Sequence, residues 1–334
     1  SPSGYVVLDG NTQRNLELVE SLAEKSKRGT LLGVLDRTLT SMGGRKLRAW
    51  ILHPLLDAAA IRERLGAVEE FYDSTELRMR LRELLKGVAD LERLLSRLTA
   101  RSGNARDVKA LGLSLARVPG VRAELTEAAA PMLVRLRDGM DELADVAGWI
   151  DAAIADEPPL ALTEVDLIKE GYHEELDRLR GLVRGGRDWI ATLQKEERER
   201  TGIPNLKVGY NKVFGYYIEV TKAHSGRVPE DYQRKQTLVN AERYITPGLK
   251  EREEEIVNAQ ERMQSLEYDL FAALRDRVAQ EARRIQHTAD GVATLDVLAA
   301  LADIAVTKDY RKPDIDESGS IHIRDGRHPV VEHL

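Results

Sequence analysis

The stretch LDRLRGLVRGGRDWIATL, residues 176–193, places Leu176, Leu179, Val183, Gly186, Ile190 and Leu193 at intervals of 3, 4, 3, 4 and 3. That is the seam of a helix that pairs with a second helix. The stretch IVNAQERMQSLEYDLFAA, residues 256–273, repeats the intervals with Ile256, Ala259, Met263, Leu266, Leu270 and Ala273. Two seams in one chain predict an antiparallel pair, a rising helix over 173–202 and a returning helix over 249–290. The returning helix would extend on the order of 60 Å at 1.5 Å per residue. Gly185-Gly186 marks a soft point, since each glycine weakens a helix by roughly 1 kcal/mol against alanine. Replacing both is expected to stabilise the pair by up to ~1–2 kcal/mol, provided neither glycine sits in a close helix contact.

The segment between the seams has a different period. Leu206 to Tyr210 alternates, as does Phe214 to Val220, with Phe214, Tyr216, Ile218 and Val220 on one face and a turn within Asn211 to Gly215. This predicts a hairpin, with a third strand at about Gln236 to Val239. A small β-rich subdomain over 203–248 is therefore expected at the tip of the helical pair. From Ile203 to Lys250 there are eight basic residues, Lys207, Lys212, Lys222, Arg227, Arg234, Lys235, Arg243 and Lys250. Four acidic residues oppose them: Glu219, Glu230, Asp231 and Glu242. The whole chain carries −6, so a tip of +4 leaves −10 for the remainder. A basic tip on an acidic body is the footprint of a polyanion partner.

Outside the pair, residues 1–172 read as a helical core, with helices at about 57–73, 75–86, 89–101 and from Ala105 to Val118, the last stopped by Pro119-Gly120. Residues 291–317 return to that core through Leu295, Leu298, Leu301 and Ile304. Residues 318–334, with a strand expected at Ile321-His322-Ile323, read as the start of another domain. The fold class is mostly α: a multi-helix core with a long antiparallel helical lever and a β-rich subdomain. With 334 residues, 42% hydrophobic and 32% charged, the chain can build a core, and it contains no run of the ~18 apolar residues a membrane span needs. There is no cysteine, which excludes disulfides, thiol nucleophiles and cysteine-based zinc sites. The chain opens at Ser1 without methionine, which suggests a piece of a longer protein.

No catalytic constellation emerges. Gly43-Gly44-Arg45-Lys46 lacks the spacing of a phosphate-cradling P-loop. His173-Glu174-Glu175-Leu176-Asp177 has Asp where a zinc-binding helix needs its second His. Asp314, Asp316, Ser318, Gly319 and Asp325 follow calcium-loop spacing without the final Glu, and read as a polar turn.

Several motifs together, in this order, resemble the MutS family of DNA mismatch-repair proteins. They are Asp9 with Thr12-Gln13-Arg14-Asn15-Leu16-Glu17-Leu18, then Thr30 to Asp36 leading to Gly43-Gly44-Arg45-Lys46-Leu47-Arg48, and Asp90-Leu91-Glu92-Arg93. Glu199-Arg200-Thr201-Gly202, Leu206 to Asn211, Gly215-Tyr216-Tyr217-Ile218, Gln236-Thr237-Leu238, Asn240 to Tyr244 and Gly326 to Glu332 complete them. The resemblance implies the family's core, its paired lever helices and the clamp that grips the DNA backbone, with contacts from Asn211, Lys212, Lys222, Arg234, Lys235, Gln236, Thr237 and Asn240. At Val239 it implies a lysine that this chain lacks. The family's Phe-x-Glu mismatch wedge is absent, since none of Phe71, Phe214 or Phe271 is followed by x-Glu. For a full-length relative, the resemblance implies an ATPase domain using ATP and magnesium, a homodimer formed mainly through that domain, a MutL-type partner and a bacterial cytoplasmic, nucleoid-associated setting. For this chain it implies double-stranded DNA as partner, no cofactor, no metal, no membrane and no catalysis. A helical protein-interaction scaffold is the alternative reading.

Overall fold

The computed structural model describes residues 4–211 and 215–333. Among these, thirteen α-helices and one four-stranded sheet form two compact units. One unit comprises the residues up to Ala152 together with those from Leu274 onward; the other is Ala153–Ala273. Residues 153–172, which the sequence places with the core, belong to the second unit. A bridge between Ile154 and Ile168 folds them together there.

In the first unit the chain forms α1 Gly10–Asn15, α2 Leu31–Leu35, α3 Ser41–Leu52, α4 Ala58–Asp73, α5 Thr75–Leu85, α6 Leu91–Thr99 and α7 Ala105–Leu115. It continues through α8 Val118–Glu124, α9 Pro131–Gly139 and α10 Ala144–Ala153. Pro119-Gly120 does not close this region. Pro119 lies in the first turn of α8, where its missing N–H has no helical acceptor to lose. The motifs supply three of the caps, Asp9, Thr30 and Asp90, and Thr40 a fourth; each accepts a backbone N–H at a helix start. Arg45 then clasps Asp90 bidentately at 2.7 and 2.8 Å and also meets Glu92, tying the Gly43–Arg48 motif to the Asp90–Arg93 motif.

The second unit holds α11 Glu174–Thr201 and most of α12 Pro247–Gln280, with the sheet between them in sequence. The first halves of the seams are buried as expected, with Leu176, Leu179 and Val183 on α11 and Ile256, Ala259 and Met263 on α12. Past Met263 the buried line of α12 shifts to Glu267, Phe271 and Leu274, while Leu266 and Leu270 are half-buried and Ala273 is exposed; on α11, Leu193 packs instead against the sheet. A returning helix unbroken to 290 is not found. At Glu281 the N–H bonds Val278 O at 3.0 Å, one residue short of the α-helical acceptor, and α13 Ala282–Lys308 begins. Arg284 holds Glu281 at this step at 3.1 Å while also pairing Asp141 and Asp145. The boundary drawn at 290/291 falls inside α13, which is the centre of the first unit. α3, α4, α5 and α6 pack around it, and it buries residues on most sides, Val292, Leu295, Val297, Leu298 and Ala299 among them. Ile321 to Ile323 forms no strand; both isoleucines are exposed.

The two glycines of the rising helix differ in surroundings. A Cβ on Gly185 would meet nothing within 4 Å, whereas one on Gly186 would overlap Ile256, with Cδ1 at 2.5 Å. Gly186 is therefore a close-approach position in the seam, and the expected gain from the double alanine fails. Gly185→Ala is expected to stabilise by about 1 kcal/mol, and Gly186→Ala to destabilise by about 1–3 kcal/mol through overpacking. Urea unfolding of the single variants distinguishes these signs. Ile256→Val in the Gly186→Ala background should recover part of the loss.

Candidate nucleic-acid interface

The sheet comprises β1 Lys207–Asn211, β2 Gly215–Thr221, β3 Gln233–Thr237 and β4 Ala241–Ile245, in the order β1-β2-β4-β3 with every pair antiparallel. The third strand lies a few residues before its expected place, and β4 is an additional strand beyond the three that the sequence predicts. Ala241-Glu242-Arg243-Tyr244-Ile245 has no apolar alternation that would announce a strand. One sheet face carries Val208, Tyr216, Ile218, Val220 and Tyr244, which form a core with Ile203, Leu206, Tyr232 and Leu249 against Trp189 and Leu193 of α11. Phe214, expected on this face, lies outside the described residues.

The edges are treated differently. Along β1, Val208 N–H is satisfied by Gln194 Oε1 of α11 at 2.9 Å. The β1–β2 end is held against α12, where Glu253 accepts Tyr216 N–H at 3.2 Å; burial raises the pKa of this carboxyl. Gly215 has φ +76°, a conformation that favours glycine, and the Glu253 carboxylate packs directly over its Cα. The β3 edge carries a register irregularity between Arg234 and Gln236 that leaves Lys235 as the extra residue.

The register divides the expected contact residues. Asn211 pairs with Gly215 at one end of β2, and Thr221 pairs with Ala241 at the other, roughly 20 Å away at about 3.3 Å per residue. Lys222, Thr237 and Asn240 gather at the second end, where Lys222 N–H bonds Asn240 O at 3.1 Å. The β3–β4 turn also presents Val239, 86% exposed. Arg234, Lys235 and Gln236 lie along the edge strand leading to this turn. Asn211 lies at the opposite end, and Lys212 lies outside the described residues. The eight candidates thus do not form a single cluster.

Charge is distributed with equal selectivity. Arg234 pairs with Glu242 at 3.2 Å. The Glu242 carboxyl is held below its ordinary range by the Tyr244 hydroxyl and then by Arg234. Arg243 pairs with Glu219 at 2.9 Å, donates to Gln236 Oε1 at 3.0 Å and lies 4.1 Å from the centre of the Tyr217 ring. Asp231 is taken by Arg200 of α11 at 3.1 Å. Three of the four acidic groups are thereby neutralised. Lys207, Lys222, Lys235 and Lys250 make no ion pair among the described residues, and they carry the local positive field. No group of three or more His, Asp or Glu side chains able to hold a metal occurs among the described residues, and no helix there is long and apolar enough to cross a membrane.

A family model for MutS domain III matches residues 11–302, which include the second unit with its entire sheet and most of the first unit. The chain belongs to the MutS family. It is 51% identical over its whole length to the DNA mismatch repair protein MutS of Symbiobacterium thermophilum. It is 49% identical over 99% of its length to that of Acetivibrio thermocellus, and 50% over its whole length to that of Pelotomaculum thermopropionicum. The chain spans 38–39% of the length of these MutS relatives. The helices, the sheet and its turn are therefore parts of a MutS domain III.

Proposed function

We propose that the sheet is a clamp that grips the backbone of duplex DNA without reading sequence, and that the α11–α12 pair is the lever that carries it. The observation that supports this most directly is the convergence of Lys222, Thr237 and Asn240 at one turn, beside Lys235 on the edge strand, while nearby carboxylates are paired within the protein. Lysines, threonine, asparagine and turn amides suit phosphate oxygens, which position a protein on DNA but carry no base information. Asn211 would contribute only if the duplex also reached the opposite end of β2. In a longer protein of this family the lever would connect DNA to an ATPase domain; the MutL-type partner and the homodimer belong to that assembly. No catalytic role is assigned to this chain, and calorimetry with magnesium-ATP is expected to give no saturable heat.

Duplex binding by the chain is expected near 10⁻⁴ M or weaker at physiological salt, tightening steeply as salt is lowered. Lys222→Ala and Lys235→Ala should each weaken binding for every sequence and reduce the salt slope by about 1. Fluorescence anisotropy with matched and G·T-containing duplexes tests this. Unchanged binding in the double variant, or a tenfold mismatch preference, would contradict the clamp reading and favour a protein-interaction scaffold.

A further inference from the structure

A polar cavity of about 310 Å³ opens on the sheet face opposite its hydrophobic core, lined by Arg198, Pro204, Asn205, Lys207, Glu219 and Thr221. Cross-strand pairing sets Lys207 directly opposite Glu219, and alternation places Thr221 on the same face. Arg198, near the end of α11, donates Nε–H to Leu206 O at 2.7 Å, which fixes its guanidinium at the rim. The Arg198 Nη groups, Lys207 Nζ and the Asn205 side chain have no partner among the described residues. The Thr221 hydroxyl is buried without one. The single carboxylate in the lining, Glu219, is already paired with Arg243 at 2.9 Å. Two uncompensated cations and an amide donor thus converge on one small cavity.

We propose that this cavity seats a backbone phosphate of the bound duplex. The inference rests on the clamp reading and extends it to residues of the opposite sheet face. A phosphate offers the acceptor oxygens and negative charge that a guanidinium, an ammonium and an amide N–H group require together. The duplex is the favoured source because of continuity. Thr221 is followed at once by Lys222, whose N–H bonds Asn240 O, so the cavity and the β3–β4 turn share one end of β2. A backbone held at the turn passes the cavity mouth.

The test uses the whole chain, a 20-base-pair duplex and a potassium chloride series, with Lys207→Ala, Lys207→Arg and Asn205→Ala beside Lys235→Ala. Arg198 is left intact because it also anchors Leu206. Lys207→Ala is expected to lower the salt slope by about 0.9, equivalent to about eightfold weaker binding at 0.1 M salt relative to 1 M, with Lys207→Arg restoring the slope. The Asn205 side-chain amide resonance should shift on duplex addition. If Lys235→Ala weakens binding and Lys207→Ala does not, the cavity proposal is overturned and the clamp reading stands. If neither does, both fall. If inorganic phosphate shifts Asn205 while Lys207→Ala binds duplex like the parent, the cavity takes a free anion and the backbone assignment is overturned.

Discussion

Replacing Gly43 by alanine is expected to destabilise the first unit by about 3 kcal/mol, at the upper end of overpacking effects. A Cβ at Gly43 would enter the Asp296 carboxylate, meeting Cγ at 2.8 Å and Cβ at 3.0 Å. Asp296 cannot retreat without breaking its bonds, since it is fully buried on α13 and caps the start of α3. It accepts Leu39 N–H at 3.0 Å, Thr40 N–H at 2.8 Å and the Thr40 hydroxyl at 2.7 Å. The helix-propensity gain of about 1 kcal/mol for Gly→Ala is too small to offset the collision. Asp296→Ala should be as damaging, because two buried N–H donors would lose their acceptor. Asp296→Asn keeps one carbonyl oxygen for Thr40 and is expected to lose only about 1 kcal/mol. Thermal and urea unfolding of the three variants would establish the order.

The sign of the pH dependence follows from the same burial. Burial raises the Asp296 carboxyl above its ordinary range, against the bonds from Leu39 and Thr40 that lower it. A raised folded-state pKa means that its contribution is fully present below the unfolded value and is lost as pH rises through the folded value. The advantage of Asp296 over asparagine should therefore shrink from pH 4 to pH 8. Asp90, Asp141 and Asp145 behave oppositely. Each is held below its ordinary range first by an arginine hydrogen bond, from Arg45 or Arg284, so their stabilisation is lost on acidification.

These contrasts also mark where sequence reading succeeds. The two seams were legible because apolar periodicity directly reports which helix face is buried, and Leu176, Leu179, Ile256 and Ala259 are buried as their spacing implies. The +4 segment was legible because charge is additive along the chain. What the sequence did not reveal depends on partners far away in the chain. Gly186 reads as a weak point until Ile256 occupies the space above it. Arg234 and Arg243 count as free cations until β4 brings Glu242 and Glu219 beside them. Asp296 reads as one polar residue in an apolar helix, with nothing nearby in sequence to identify Leu39 and Thr40 as its donors.

Arg180→Met is expected to destabilise the helix pair of the second unit by about 3–5 kcal/mol, the range for breaking a buried ion pair by removing one member. Arg180 on α11 and Glu267 on α12 are both buried beside the seam and bonded directly to each other. The pair also gathers a third segment: Arg180 donates to Ile168 O at 2.7 Å, and Glu267 accepts Asp166 N–H at 2.9 Å. Apolar seams tolerate slippage by a whole repeat, but a slip here would strand two charges, so the pair specifies the register. Met at 180 leaves Glu267 buried with only backbone donors. Burial already raises the Glu267 pKa against the pull of Arg180, and losing Arg180 would raise it further. The variant's deficit should accordingly be smaller at pH 5 than at pH 8, because protonation relieves the unpaired charge. Arg180→Met combined with Glu267→Leu should recover most of the lost stability, since an apolar pair of similar volume often matches a buried ion pair. Recovery should come without recovery of register. Spin labels at exposed Arg184 and Gln260 should give one distance in the parent chain and a broadened distribution in the double variant. A single sharp distance there would show that the apolar seams alone align the helices.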